Sequence, residues 1–363
     1  MPRVLALVGK ELGRSPGQRF RLEQWAPYLE SEHGIRVDFA PFESAELSDV
    51  MGLPGKLAKK SAFVLRDFVA RSKDIHAARG YDAVLLYREA ALLGPAIYER
   101  VLARLGIPFA VDFDDAIWMP APSINGFFAS LRFPTKLATI CRLATAVTVG
   151  NEFLANYARQ FQRHVAIVPT TIDLQKYDVQ PELPSEDPFV VLWSGSTPTL
   201  PYFETARPAL ERFAQSRNVV VKVICNRPPD RPIANAKNEF VAWSDLNEAK
   251  EIGQCHVGIM PMPDDQFSQG KCGLKALQYM AVERACIVTP IGMNKDLVKP
   301  RVNGLFANTT DEWVAALAIL AENPSLRKSM AAAGRKTVED GFSATVGAQK
   351  LAEVIRQMIQ RKR

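Results

Sequence analysis

Short runs of β-branched and aromatic residues alternate with longer stretches of helical periodicity along the whole chain. This alternation is typical of parallel α/β layers, in which each strand is followed by a helix that covers the sheet. In the first half the pattern predicts six strands, at 3–8, 35–40, 83–87, 108–112, 146–149 and 165–168. It predicts helices between them at 18–32, 56–73, 92–105, 127–143 and 151–160.

A polar, proline-bearing stretch at 180–188 suits a linker between domains, and the alternation restarts after it. Strands are predicted at 189–193, 219–225, 240–243, 256–260, 286–289 and 304–307, with helices at 201–215, 245–253 and 273–281. Two later helices have predicted starts: Thr309 and Glu312 form a capping box, and Asn323 precedes Pro324 at the first helical position.

The fold class is therefore α/β, with two doubly wound domains at 1–180 and 188–340. A C-terminal helix is expected at 341–363, and one alternative is that it crosses back to the first domain. Two tandem parallel domains place the carboxyl ends of their sheets around one cleft, where open α/β sheets bind ligands. We expect the chemistry there, although such folds serve many unrelated functions.

Composition narrows the class of protein. Of the 363 residues, 47% are hydrophobic and 23% are charged, as in an ordinary globular protein, and neither a membrane span nor a signal peptide is expected. The five cysteines form no C-x-x-C pair, which argues against a disulfide framework or zinc knuckle and predicts a cytoplasmic protein. The net charge of +6 leaves nucleic acid, anionic lipid and phosphorylated small molecules open as partners.

The most specific segment is GIMPMPDDQFSQGKCGLKALQYMAVERACIVTPIGMN, at 258–294. It resembles the donor-binding region of family-4 glycosyltransferases, and VPTTID, VNGLFA and the tail ENPSLRKSMAAAGRKTVEDGFS follow that family's order. The resemblance implies the GT-B fold, with an acceptor-side first domain and a donor-binding second domain. It implies retaining, metal-independent transfer of a sugar from a UDP- or GDP-sugar to a glycan or lipid-linked acceptor. No cofactor and no nucleic-acid partner are then expected.

One departure from the family concerns a pair of glutamates eight residues apart, one for the donor sugar and one for the ribose. Gly270 and Gln278 occupy those positions here. Gln278 remains a candidate for the ribose, because an amide both donates and accepts hydrogen bonds. Asp264 and Asp265 are candidates to supply the missing carboxylate, and the alternative is an Asx turn after Pro263.

Two lysines are the main candidates for the donor diphosphate. Gly273 and Leu274 open the predicted helix, and Lys271 and Lys275 lie four residues apart at its start. Cations there oppose the helix dipole and repel each other unless an anion is bound. We therefore expect both lysines to hold the diphosphate, and Lys271 to stabilise the leaving charge. Two solvated surface lysines are the alternative.

A second phosphate-binding candidate is the loop SGSTPT, in which Ser194, Gly195 and Ser196 allow close backbone approach. Trp243 ends a predicted strand that should border the nucleotide, where its ring would stack on or flank the base. An ordinary core tryptophan explains it equally well.

The first half of the chain contains three acidic candidates for the site. The segment VDFDDAIW places Asp112, Asp114 and Asp115 at the end of a buried strand, as candidates to orient the acceptor hydroxyl or contact the donor sugar. Helix capping is the alternative for Asp114 and Asp115. D-F-D also resembles the metal-binding D-x-D of the other large glycosyltransferase fold, but that fold has one domain, so no metal is predicted.

Loops after two other strands carry further candidates. Gly17 and Gln18 are expected to contact donor or acceptor. Arg19 and Arg21 bind phosphate or are solvated, and Arg88 and Glu89 either face the cleft or form a local ion pair.

Two segments mix aromatic with basic residues, GKLAKKSAFVLRDFVARSK and NGFFASLRFPTK. A basic amphipathic helix can lie on an anionic membrane surface, so such a surface is a candidate partner, with the protein on the inner face of the membrane. Ordinary half-buried helices explain the same pattern. Two other functions stay open: a nucleotide-sugar 2-epimerase, and a non-catalytic nucleotide-sugar-binding protein.

Overall fold

A computed structural model describes residues 1–51, 53, 55–119, 135–183 and 185–362. The chain divides into two compact units, one of Met1–Thr170 with Ala344–Arg363 and the other of Thr171–Ser343. The structure thus divides the chain ten residues before the predicted linker. The resemblance to the two-domain GT-B architecture is confirmed by two six-stranded parallel sheets, one in each unit.

The first unit contains a sheet of strands in the order β2-β1-β3-β4-β5-β6, all parallel. β2 lies on one side of β1, and the chain then crosses to the other side to form β3, which creates a topological switch point between β1 and β3. Each strand begins and ends within one residue of its predicted position. The strands are β1 Arg3–Val8, β2 Arg36–Pro41, β3 Ala83–Tyr87, β4 Phe109–Phe113, β5 Ala146–Val149 and β6 Val165–Ile167.

Helices of the first unit differ more from the predictions. The predicted helix at 18–32 is three segments, because Pro27 has no N–H to donate to the carbonyl of Glu23 and a π-helical turn intervenes. The helix predicted from 92 begins at Ile97, and the part of another predicted at 127–134 lies outside the described residues. The helices are Pro16–Gln18, Arg19–Glu23 (π), Gln24–His33, Ala45–Met51, Leu57–Ala77, Ile97–Arg104, Lys136–Leu143 and Glu152–Arg159.

The C-terminal helix, Ala344–Lys362, belongs to the core of the first unit. Leu351, Ile355 and Met358 are fully buried in one cluster with Trp25 and Leu29 of helix Gln24–His33. The first unit therefore consists of two chain segments, one before and one after the segment that forms the second unit.

The second unit has the strand order β12-β11-β10-β7-β8-β9, again parallel, with a switch point between β7 and β10. β9 begins three residues before its predicted start, and the other strands agree within one residue. The strands are β7 Phe189–Ser194, β8 Val219–Cys225, β9 Lys237–Ala242, β10 Val257–Met260, β11 Ala285–Val288 and β12 Leu305–Phe306.

Helices cover both faces of this second sheet. Thr309 and Glu312 form the predicted capping box, and Pro324 opens the next helix as predicted, although the Asn323 side chain donates backwards to the carbonyl of Ile319. The α-helices are Leu200–Ala214, Glu248–Gly253, Gln266–Gln269, Leu274–Ala281, Asn294–Leu297, Thr310–Glu322 and Pro324–Gly341. Within the described part of the chain, no helix is long and apolar enough to cross a membrane.

Candidate functional site

The switch point of the second unit brings two of the predicted segments together. β7 ends at Ser194 and β10 ends at Met260, and the two strands are hydrogen-bonded neighbours. The SGSTPT loop and the loop leading to Lys271 therefore leave the same edge of the sheet side by side. Open parallel sheets bind ligands outside such an edge.

Tyr279 joins these two strands from helix Leu274–Ala281. Its hydroxyl donates to the carbonyl of Ile259 at 3.1 Å and accepts from the backbone N–H of Ser194 at 3.1 Å. A Cβ at Gly258 would lie 2.3 Å from the Tyr279 ring, so the ring needs a glycine there. This bridge holds the edge at a fixed spacing.

The loop after β7 is shaped by Trp193. A Cβ at Gly195 would lie 2.3 Å from the Trp193 ring, so the backbone passes closely over the indole. Ser196 forms a capping box with Thr199 at the start of a short 3₁₀ turn, and the backbone N–H of Ser194 is taken by Tyr279. Part of the predicted phosphate cradle thus has a structural role in this loop.

The two lysines lie at the same edge, on aromatic surfaces. The Lys275 ammonium is 5.6 Å from the Trp193 ring centroid, and that of Lys271 is 4.7 Å from the Phe267 ring centroid. Helix Leu274–Ala281 begins at Leu274 behind Gly273, which adopts a left-handed φ of 71° as its N-cap. Lys271 therefore precedes the helix rather than lying on it, so the predicted dipole argument applies only to Lys275.

Asp264 and Asp265, the candidates to replace the family's first glutamate, have different local roles. The Asp265 side chain accepts from the backbone N–H of Ser268 at 2.7 Å and caps helix Gln266–Gln269, which is the local role left open as an alternative. Asp264 is exposed, and Gly270 is buried at the end of that short helix.

Gln278 belongs to a buried polar chain that the sequence did not indicate. Its side-chain N–H donates to the hydroxyl of Tyr177 at 2.8 Å, and that hydroxyl donates to Glu248 at 2.6 Å. The indole N–H of Trp243 donates to the other Glu248 oxygen at 2.8 Å. Gln278 and Trp243, both predicted to meet the nucleoside, are thus joined through one buried carboxylate.

The carboxyl edge of the first unit contains the acidic candidates. Asp112 was expected to face a ligand, but its carboxylate is fully buried and accepts two hydrogen bonds from Arg21, each 2.6 Å long, and a third from Thr148. The Arg21 guanidinium also lies 4.9 Å from the Trp25 ring centroid. A buried ion pair needs close hydrogen-bonded partners, and this one anchors β4 to the helical segment after β1. Arg21 is not solvated.

Asp114 and Asp115 are brought together by Arg88. The Arg88 guanidinium donates to Asp114 at 2.7 Å and to Asp115 at 2.8 Å, and the Tyr87 hydroxyl donates to Asp114 at 2.9 Å. Arg88 has a left-handed φ of 67°, a strained conformation for a non-glycine residue. The local ion pair proposed between Arg88 and its neighbour Glu89 is therefore not formed.

Charge states in this cluster follow from its contacts. Burial alone would raise the pKa of Asp114, but the neighbouring Arg88 and the charge of Arg21 outweigh it and lower that pKa below its ordinary value. Burial raises the pKa of Tyr87 well above its ordinary value, so its hydroxyl stays protonated and donates. At neutral pH the cluster therefore holds an ionised Asp114 carboxylate and a protonated Tyr87 hydroxyl.

Gly17 and Gln18 lie beside this cluster. A Cβ at Gly17 would lie 2.1 Å from the Tyr87 hydroxyl and 2.5 Å from an Asp114 oxygen, so only glycine permits this approach. Gln18 is fully buried, and its amide exchanges two hydrogen bonds with the backbone of Lys10. The segment after β1, in which Gly17 and Gln18 were predicted to contact donor or acceptor, therefore reaches the acidic cluster.

The same contacts bear on metal binding. The carboxylates of D-F-D accept from arginine N–H groups, and those cations occupy the positions that a metal ion would need. Among the described residues, no three His, Cys, Asp or Glu side chains are grouped to hold a metal ion.

Tyr177, Glu248 and Thr148 are the polar residues that sequence reasoning missed. Glu248 lies 71 positions from Tyr177, Tyr177 lies 101 positions from Gln278, and Thr148 lies 36 positions from Asp112, so no local spacing indicates these three pairs. Thr148 meets Asp112 because β4 and β5 are neighbouring strands, whereas Tyr177, Glu248 and Gln278 meet through the packing of two helices and the segment before β7.

Known proteins are similar to this chain in two ways, through a family model that matches part of it and through solved structures that share its fold. Residues 239–337 match the family model described as Glycosyl transferases group 1. No curated protein matches the chain.

Solved structures of similar fold cover nearly the whole chain. A sucrose-phosphate synthase from Thermosynechococcus elongatus superposes with a TM-score of 0.68 and 17% identity, over 99% of this chain and 100% of that one. Anabaena HepE in complex with UDP and glucose gives 0.66 and 14%, over 98% and 100%. The lipopolysaccharide outer core galactosyltransferase WaaB gives 0.62 and 13%, over 98% and 99%. The resemblance seen in the sequence is thus supported in two ways: residues 239–337 match the group 1 glycosyl transferase model, and the chain has the GT-B fold of these structures.

Proposed function

We propose that this protein transfers a sugar from a nucleotide diphosphate donor, a UDP- or GDP-sugar, to a glycan or lipid-linked acceptor, with retention of configuration. The observation that carries the proposal is the edge between β7 and β10. Lys271 and Lys275 lie there, inside the group 1 region, next to the loop after Ser194. Cations beside a switch point suit a diphosphate.

The similarity to HepE supports the donor class, since that protein was solved with UDP and glucose. The similarity to WaaB supports a lipid-linked glycan as acceptor, since that protein is a lipopolysaccharide galactosyltransferase. Both similarities extend over almost the whole of this chain.

In the proposed reaction, the bond between the anomeric carbon and the donor phosphate oxygen breaks. The acceptor oxygen forms its bond to that carbon on the same face, and its proton passes to the leaving phosphate. Lys271 and Lys275 stabilise the charge that grows on this phosphate, and this electrostatic term lowers the barrier. Asp114 and Asp115, held by Arg88, orient the acceptor hydroxyl through their side-chain oxygens.

Independence from metal ions is part of the proposal. Its support is that arginines occupy the D-F-D carboxylates, while the lysines supply positive charge at the donor edge. Transfer measured in EDTA should equal transfer in Mg²⁺ or Mn²⁺. Complete loss in EDTA with recovery in Mn²⁺ would contradict this part.

The proposed location is the cytoplasmic face of a membrane. The five cysteines are free and buried, which suits a reducing compartment. Helix Leu57–Ala77 exposes Leu57, Leu65 and Val69, at 58%, 68% and 54%, together with basic side chains. An anionic lipid surface matches both the charge and the apolar side chains.

Donor turnover tests the function directly. A panel of UDP, GDP, dTDP, ADP and CMP should identify the nucleotide, because a ligand at 100 times its Kd stabilises by about 2.7 kcal/mol. Slow release of sugar and nucleoside diphosphate from the matching donor, accelerated by an acceptor, supports a transferase. Appearance of the 2-epimer would instead support an epimerase, and binding without turnover a non-catalytic protein.

A further inference from the structure

The buried polar chain of the second unit has a direction as well as a set of members. It runs from Trp243, directly after β9, through Glu248 and Tyr177 to Gln278. The side chains of Glu248 and Gln278 are buried, with 6% and 3% of each residue exposed. Water therefore competes little for their polar atoms, and the groups themselves determine which atom donates at each step.

The direction follows from what each group can donate. The indole N–H of Trp243 can only donate, and it lies 2.8 Å from one Glu248 oxygen. The Tyr177 hydroxyl has one hydrogen, which it donates to the other Glu248 oxygen at 2.6 Å. The Tyr177 oxygen can then only accept, and the side-chain nitrogen of Gln278 donates to it at 2.8 Å. Glu248 thus orients the Gln278 amide through the Tyr177 hydroxyl.

An oriented amide offers a ligand one atom rather than a choice of two. The nitrogen and oxygen of an amide are bonded to the same carbon, so an anchored nitrogen also fixes the oxygen. Within the described ranges, the side-chain oxygen of Gln278 has no hydrogen-bond partner. In this orientation Gln278 offers what a glutamate would offer, an oxygen that accepts a hydrogen bond.

Gln278 also lies close to the lysines of the donor edge. It is three residues after Lys275 on helix Leu274–Ala281, and residues three apart are neighbours on a helix surface. The next residue, Tyr279, bridges β7 and β10 through its hydroxyl. The ribose of a nucleotide is joined directly to its phosphates, so a ribose site should adjoin a diphosphate site.

We infer that Tyr177 and Glu248 are positioning residues, which make the side-chain oxygen of Gln278 accept a hydrogen bond from a ribose hydroxyl of the donor. The inference rests on the proposed function for the identity of this ligand. The family resemblance implies a ribose contact at position 278 but no role for Tyr177 or Glu248. A buried carboxylate and a tyrosine hydroxyl here give an amide the accepting role of the family's glutamate.

Fluorinated nucleotides test the direction of this hydrogen bond, because fluorine is close in size to a hydroxyl oxygen but has no hydrogen to donate. We would titrate UDP, GDP and their 2′-deoxy-2′-fluoro and 3′-deoxy-3′-fluoro analogues into the full chain by calorimetry. At least one hydroxyl form should bind about tenfold more tightly than its fluoro form, because fluorine leaves the Gln278 oxygen unpaired. Equal binding of hydroxyl and fluoro forms overturns the inference.

Tyr177→Phe removes the group that anchors the amide. Gln278 can then rotate and offer its NH2 group, so the preference for hydroxyl over fluorine should fall about tenfold. Tyr202→Phe, at a half-buried tyrosine of the same unit, is the matched control and should keep the wild-type preference. A purely structural role of Tyr177 would weaken hydroxyl and fluoro forms equally. An unchanged ratio in Tyr177→Phe therefore overturns the inference.

Reversing the chain provides a second test, which decides the matter if Tyr177→Phe does not fold. In Glu248→Gln, the N–H of Trp243 takes the new amide oxygen, so the new NH2 group donates to Tyr177. The tyrosine hydroxyl must then donate to Gln278, which turns and presents its NH2 group to the ribose. The preference for hydroxyl should fall about tenfold, as in Tyr177→Phe. Glu322→Gln, at an exposed position of the same unit, should leave it unchanged.

A combined substitution should rescue this loss. Adding Gln278→Glu to Glu248→Gln returns an accepting oxygen to position 278, while Tyr177 still has one acceptor and one donor beside it. The preference for hydroxyl should rise about tenfold above that of Glu248→Gln, which independent effects of the two changes would not produce. A double variant with no greater preference than Glu248→Gln overturns the inference.

The outcomes separate this inference from the proposed function. A chain that shows these ratios but transfers no sugar contradicts the proposed function and supports the inference. A chain that transfers sugar while its variants keep the wild-type ratio contradicts the inference alone. Binding of neither UDP nor GDP contradicts both.

Discussion

Lys271 and Lys275 lie near the β7/β10 edge, each with its ammonium over an aromatic ring. A charge-assisted hydrogen bond contributes roughly 1.5 to 3 kcal/mol, which is about 10- to 100-fold in affinity. Changing either lysine to alanine should weaken UDP or GDP binding by that factor and leave uridine or guanosine binding unchanged. Calorimetric titration of the four ligands measures both effects.

Turnover should fall at least as far as diphosphate affinity, because charge on the leaving phosphate grows in the transition state. Lys299→Ala is the matched control, since Lys299 is exposed in the same unit. Gln278→Ala should weaken nucleoside and nucleotide alike, because it disturbs the chain through Tyr177 and Glu248. Wild-type diphosphate affinity and turnover in both lysine variants would refute the phosphate assignment.

His256 is a second residue whose chemistry is set by its contacts. Its Nδ1 accepts from the backbone N–H of Val190 at 2.9 Å, and its Nε2 donates to the carbonyl of Ser185. Burial, and then the charge of Arg327, lower the pKa of His256 below its ordinary 6.5; Arg284 acts in the same direction, and Glu186 opposes them. Protonation would also replace the acceptor that faces Val190.

Stability should therefore depend on pH through this residue. The unfolded chain binds the proton more readily, so the contribution of neutral His256 is complete above pH 6.5 and is lost as the pH falls towards the lower folded pKa. The loss proceeds at up to about 1.4 kcal/mol per pH unit. Chemical denaturation from pH 7.5 to 5 should show this slope in the wild type and in the exposed control His164→Asn. The same slope in His256→Asn would rule out this residue as its source.

At the scale of single residues, features that depend on neighbours in the chain could be predicted from the sequence, and pairs of distant residues could not. The Thr309 capping box and the left-handed start at Gly273 depend on neighbours in the chain, and such positions were identified. Arg21 and Asp112 are 91 positions apart, and each was assigned a role from its own surroundings. Their pairing depends on the packing of β4 against the segment after β1, which no local pattern records.

Among the elements, helix Leu57–Ala77 is unusual because some of its charged side chains are buried. Asp67 and Arg71 are buried, and Arg71 donates to the carbonyls of Val8 and Ala40, which joins the helix to the ends of β1 and β2. The apolar Leu65 and Val69, one turn apart, are exposed instead. An ordinary half-buried helix would have the opposite arrangement.

Membrane binding by this helix is therefore expected. The full chain should sediment with vesicles containing anionic lipid and be released by salt, since surface attraction is screened within about 10 Å at 0.1 M. Leu65→Ser with Val69→Ser should weaken binding without affecting the free energy of unfolding, because both side chains are exposed. The control is Ser61→Ala, at an exposed polar position of the same helix. Equal sedimentation with neutral and anionic vesicles would exclude the electrostatic contribution.

Strands were predicted better than helices, for a physical reason. Each central strand is a short apolar run between turn residues, so its limits are visible locally. Helix limits depend on features such as the missing N–H of Pro27, which interrupts the ladder after Glu23. The second basic segment, at 125–136, lies almost wholly outside the described residues, so its membrane role stays a prediction.

At the scale of the whole molecule, the last helix makes the first unit dependent on both ends of the chain. Residues 344–363 belong with Met1–Thr170, and Leu351 and Ile355 are fully buried against that unit's core. The second unit consists of one continuous segment, Thr171–Ser343, and contains its own cluster around Trp193 and Phe203. The two units should therefore respond differently to changes in the last helix.

Leu351→Ala and Ile355→Ala in the full chain should each lower the free energy of unfolding of the first unit by about 2–5 kcal/mol, because each leaves a cavity among fixed neighbours. Hydrogen exchange measured by mass spectrometry locates the effect. Protection should fall across β1 to β6, while β7 to β12 keep wild-type protection, because the second unit has a separate core. Glu353→Ala, at an exposed position of the same helix, should alter neither sheet. A uniform loss of protection across both sheets would show instead that the two units unfold as one cooperative body.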